Sequence, residues 1–139
     1  MKKKLIFGGR EIEGNLEEFD FSKYFDDPNL TDALVMYNAT SNTITVDTRA
    51  SEKYKEFAFV HESICCGYYS DLAPVVSDKK QRCLAIDQMI IDSIKDESER
   101  LEYIKKRIDM FSTLLSDKKY GAQGVPMFVT ALEGLKKLV

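Results

Sequence analysis

The chain is poor in the residues that build stapled, membrane-spanning or nucleic-acid-binding proteins. It has three cysteines, Cys65, Cys66 and Cys83, two of them adjacent. An odd count in that arrangement makes a poor disulfide framework and points to a reducing, intracellular setting, so a cytoplasmic protein is expected. No stretch approaches the roughly 18 apolar residues of a membrane span, and no membrane association is expected. After Lys2-Lys3-Lys4 only Leu5-Ile6-Phe7 precedes Gly8-Gly9, too short a run for the apolar core of a signal peptide. A basic face is also missing. Lys and Arg number 20 against 23 Asp and Glu, for a net charge of −3, so a nucleic-acid partner is not expected. The phosphate-binding loop, the dinucleotide fingerprint and the nucleophile elbow are all absent. Tryptophan is absent, and histidine occurs once, as His61.

What remains is an ordinary globular balance, 44% hydrophobic and 31% charged. At 139 residues the chain is expected to form a single domain, 1–139, with one real core and no need of a staple. Gly8-Gly9 sits between apolar residues in 3–13 and supplies the positive φ angles of a two-residue hairpin turn. Residues 14–30, acidic and aromatic, read as a loop or one short helix. The runs ALVMY (33–37) and TITVDT (43–48) flank the turn-forming NATSN, and Ile44 and Val46 alternate with polar residues at period two, which predicts a second hairpin.

Helices follow. Ser51 is a plausible N-cap, and Phe57, Val60, His61, Ile64 and Tyr68 recur along one helix face up to a stop at Gly67. After a connector at 71–77, a helix over 78–94 carries Cys83, Ile86, Asp87, Ile90, Ile91 and Ile94 on one side. Asp96 with Glu99 has the form of a capping box for a third helix, whose expected buried stripe is Leu101, Ile104, Ile108, Phe111 and Leu115. Lys105-Lys106-Arg107 and Lys118-Lys119 read as solvated surface. Gly121 and Gly124 break the chain, and Pro126 suits the first turn of a last helix. The predicted class is α+β: N-terminal hairpins forming a small antiparallel sheet, then about four helices.

The residues with chemical potential lie in FAFVHESICCGYY, 57–69. His61 and Cys65 stand at i and i+4, a spacing at which two side chains on one helix face can hold zinc together. Glu62 would lie near an open position of that metal and could serve as general base on bound water. A third ligand must come from elsewhere. Asp87, a carboxylate within an apolar stripe, is the best candidate, with Cys83 one turn before it. The alternative for Asp87 is a buried carboxylate hydrogen-bonded to a hydroxyl, a backbone N–H or His61. The alternative for His61 is a histidine at the edge of the core, and for the adjacent cysteines simple burial. A Cys65–His61 nucleophilic pair one helical turn apart has poor in-line geometry and ranks last.

The order of strand (TITVDT), polar turn, long helix (SEKYKEFAFVHESIC), connector and second helix with an acidic residue resembles the small H-E-x-x-H zincins of the ImmA/IrrE and SprT-like kind, frequent in phages and mobile elements. The resemblance spans roughly 33–95. It implies a zinc-dependent peptidase or a descendant of one, with His61 as first histidine ligand, Glu62 as catalytic glutamate, Cys65 in the second histidine's place and Asp87 as a loose match to the downstream acidic ligand. Two functions follow as expectations: a zincin-like metallopeptidase of degenerate H-E-x-x-C form, or a non-catalytic module that binds a protein or peptide through its helical C-terminal half.

Overall fold

The computed structural model describes residues 1–117, 120 and 124–139. Gly121 and Lys118-Lys119, the expected break and solvated pair, lie outside the described residues. The chain is α+β, with a four-stranded sheet first and helices after it. It forms two compact units, Met1–Leu72 and Ala73–Val139.

In the first unit, β1 (Lys2–Phe7) and β2 (Arg10–Phe19) form a hairpin around Gly8 and Gly9, whose φ angles of +58° and +79° only glycine adopts without strain. β3 (Val35–Asn38) and β4 (Thr43–Asp47) form the second hairpin. The two hairpins join through β2 and β4, which run parallel from Asn15↔Thr43 to Phe19↔Asp47. The sheet is therefore mixed, in the order β1-β2-β4-β3, rather than antiparallel throughout. The cause is the connection. Residues 20–34, with the four-residue helix α1 (Phe21–Tyr24), are long enough to carry the chain past the position β4 will take, so β3 returns on its far side.

β2 extends well into the segment expected to be a loop. Its inward face is Ile12, Gly14 and Leu16, and the glycine hides the period-two pattern. A Cβ at Gly14 would stand 3.3 Å from the Phe59 ring, so the gap in the pattern is the space that ring occupies. Phe59 belongs to α2 (Glu52–Cys65), which is capped by Ser51 through the Tyr54 N–H and covers the inner sheet face. Ile12, Leu16, Ile44, Val46, Ala58, Phe59 and Ile64 make the core there. Glu18 and Glu52 clasp the buried Lys55 ammonium at 3.0 Å each, tying β2 to the first turn of α2. The fully buried Asp47 accepts from the Phe21 N–H at 3.3 Å and from Arg49 Nη2 at 2.7 Å. Arg49 goes on to the carbonyls of Leu30 and Thr31, and so holds the long β2–β3 connection in place.

Only Asn15–Phe19 of β2 pairs with β4, so the β4-side edge of its first half is covered differently. The Tyr69 hydroxyl accepts from the Glu13 N–H at 2.9 Å, Arg10 pairs with Asp71, and the Arg10 guanidinium lies 5.2 Å from the Tyr69 ring centre. Tyr68, expected on the buried face of α2, is exposed, because the helix ends at Cys65 and the chain turns away before reaching it.

In the second unit, Asp78 caps a single 3-10 turn (Lys79–Gln81) that leads into α3 (Arg82–Ser93). All six residues of the expected α3 stripe are buried, Ile94 just past the helix end. Asp96 caps α4 (Glu97–Ser116), accepting from the Glu99 N–H at 2.9 Å. The buried face of α4 is Tyr103, Ile104, Arg107, Met110 and Phe111. Leu101, expected to be buried, is 40% exposed, and Ile108 and Leu115 are half-buried. The stripe is rotated because Arg107, expected on the solvated side, lies at its centre and is buried. α5 (Val125–Lys136) begins at Gly124–Pro126 as expected, and packs Phe128 against Phe111 with ring centres 5.5 Å apart.

Candidate functional site

His61, Glu62 and Cys65 all lie on α2, in the first unit. The His61 ring is 1% exposed, while Glu62 and Cys65 are half-buried. At the end of this helix Tyr37 of β3 joins the titratable groups Glu62, Cys66 and Tyr68. Cys66, for which burial was an expectation, is exposed, and its thiol is pushed far above the ordinary thiol range, first by its hydrogen bond with Cys65 and then by partial desolvation and the Glu62 charge. The Tyr37 hydroxyl is also pushed up, by burial first and then by Tyr68, Cys66 and Glu62, and it donates to Asn42 Oδ1 at 2.8 Å.

Asp87 lies on α3, in the second unit, with no exposed surface. Its carboxylate accepts from the Tyr103 hydroxyl at 2.6 Å and pairs with Arg107 Nε at 3.1 Å. The guanidinium in turn lies 5.0 Å from the Phe111 ring centre and 5.9 Å from that of Tyr103. A hydroxyl partner was among the expectations for Asp87; the arginine was not. Its signal was Tyr103, Arg107 and Phe111 at i, i+4, i+8, a helical ladder with the cation in the middle. Among the described residues, no group of three or more His, Cys, Asp or Glu side chains is placed to hold a metal ion. No helix among them is long and apolar enough to cross a membrane.

The outer face of the sheet carries a different feature. Alternation along the strands puts Glu17 and Phe19 of β2, Thr43 and Thr45 of β4, and Met36 and Asn38 of β3 on this side. Phe19 (52%), Met36 (53%) and Tyr24 of α1 (70%) are large apolar side chains left exposed together. Phe19 has Phe21 and Tyr24 as ring neighbours at 6.5 and 6.3 Å. With Thr45 they line a hollow of about 150 Å³, which is continuous through Phe19, Met36 and Thr45 with an open groove of about 610 Å³ that reaches Glu17 and Asn38. Sequence reasoning missed this surface because it left 14–30 outside the sheet.

Compared with protein-family models, with curated proteins and with solved structures, the chain matches none of them.

Proposed function

We propose that this chain is a non-catalytic protein-binding module whose docking surface is the outer face of its sheet. The observation that carries this is the joint exposure of Phe19, Tyr24 and Met36 around a groove. Aromatic residues and methionine are the types enriched at the centres of protein interfaces, and exposing them side by side in water costs free energy that a partner would recover. The helical half exposes aliphatic side chains, Val125 and Val129 on α5 among them, and no large aromatic one among its described residues. The groove along α4 is lined by Leu101 with Ser98, Glu102, Lys105, Lys106 and Asp109, a single apolar residue among polar ones. The zincin alternative asks for a thiolate and a carboxylate free to bind metal. The Tyr103 and Arg107 contacts of Asp87 favour the binding reading instead.

The test is selection from a displayed peptide library on the wild-type chain and on a Tyr24→Ser/Met36→Ser variant, with the fold of both checked by circular dichroism. Peptides enriched on the wild type and lost on the variant are expected. Equal enrichment on the two would remove the sheet face as the docking surface. A zinc-loaded preparation that cleaves unfolded protein, and loses that activity in Glu62→Gln, would establish a peptidase instead.

A further inference from the structure

The sheet-face groove has a charge pattern as well as an apolar end. Residues 11–48 supply β2, α1, β3 and β4, and contain nine acidic residues against one basic residue, Lys23. Most of these carboxylates lie elsewhere or are already engaged: Asp47 holds Arg49, Glu18 reaches the inner side to Lys55, and Asp20 caps α1. Glu17 is the one that lines the groove itself, exposed, in the same cross-strand row as Thr45 and Met36. Phe19 follows it two residues on along the same face. Successive same-face positions on a strand are about 7 Å apart. An extended peptide laid along the groove presents its own i and i+2 side chains at that same spacing.

Resting on the binding-module reading above, we infer that the occupant is an extended segment of a partner protein with an apolar side chain and a Lys or Arg two residues apart. The apolar side chain enters the hollow between Phe19, Tyr24 and Met36. The cation meets Glu17, and the small Thr43 and Thr45 side chains form the floor beneath the peptide backbone. The Glu17 carboxylate attracts a cationic side chain in the groove and disfavours an acidic one.

Fluorescence anisotropy with the full chain and three labelled synthetic peptides tests this. The first alternates Leu and Lys at i and i+2 with Thr between them. The second has Glu for Lys, and the third has the first peptide's composition with Leu and Lys adjacent. The first is expected to bind most tightly. Glu17→Lys should weaken it about fivefold or more, the scale of an exposed ion pair, and strengthen the second peptide in turn. Glu17 is exposed on a strand surface, and Glu17→Gln serves as a milder second variant should the reversal perturb folding. Equal binding of the first and second peptides, or no response to either Glu17 variant, overturns the charge assignment. Equal binding of the first and third overturns the spacing. If either happens while Tyr24→Ser/Met36→Ser still abolishes binding, the docking face stands and only the occupant's chemistry is refuted.

Discussion

An ionised carboxylate with no exposed surface must have its charge answered inside the protein. Arg107 and Tyr103 do this for Asp87, and the aromatic rings flanking the guanidinium shield the pair from water. Removing one partner leaves the other charged and stranded. Asp87→Leu or Arg107→Met alone should therefore destabilise the chain by about 3–5 kcal/mol in a urea titration. The double variant should cost clearly less than the sum of the two, because replacing both charges with apolar groups is often close to neutral. Additive losses would show that the pair does not act as a unit. Half of it was legible: a lone carboxylate among isoleucines calls for a partner. Arg107 was not, because two lysines precede it in the chain, and a run of charges reads as solvent-facing unless the ladder of Tyr103 and Phe111 is weighed against it.

Along α4, burial is decided by which residues the arginine brings inward with it. Ile104→Ala should cost about 2–5 kcal/mol through lost transfer energy and a cavity. Leu101→Ala, three residues earlier, should change stability by less than about 0.5 kcal/mol. Comparable losses for the two would place Leu101 in the core after all. The start of the same helix responds to acid. The Glu99 N–H, and after it the Ser98 hydroxyl, hold the Asp96 carboxyl below its usual value of 3.8. A depressed folded value means that the cap contributes above the unfolded pKa and is lost as pH falls through the folded one. The Glu99 amide resonance should therefore show a step below about pH 4 in the wild type that is missing in Asp96→Asn, which keeps a capping oxygen without the charge. A flat wild-type profile would separate the cap from the titration. This cap was visible in the sequence as Asp96 and Glu99. So were both hairpin turns and the α3 stripe, since each rests on neighbours within one turn or one strand. The parallel pairing of β2 with β4 was not, because it depends on how far residues 20–34 carry the chain, and no local pattern encodes that distance.

For the molecule in solution, the parts of the sheet that its strands leave unpaired matter as much as those they pair. A strand edge with free N–H and C=O groups is a template on which a second copy can add itself, and short strands and covering contacts are the usual defences. β3 is short. β2 is ten residues long, and Tyr69, with the Arg10–Asp71 pair beside it, covers the half that β4 does not reach. The Tyr69 hydroxyl thus occupies an N–H that an added strand would use. Tyr69→Phe removes the acceptor from the Glu13 N–H while keeping the ring. Such a variant should show concentration-dependent growth in light scattering that the wild type lacks, with Asp71→Ala added to it growing faster still. A Tyr69→Phe protein that stays as dispersed as the wild type at every concentration would mean that the hydroxyl is not what guards this edge. One phenolic oxygen thus closes, inside the sheet, a donor that neither neighbouring strand reaches.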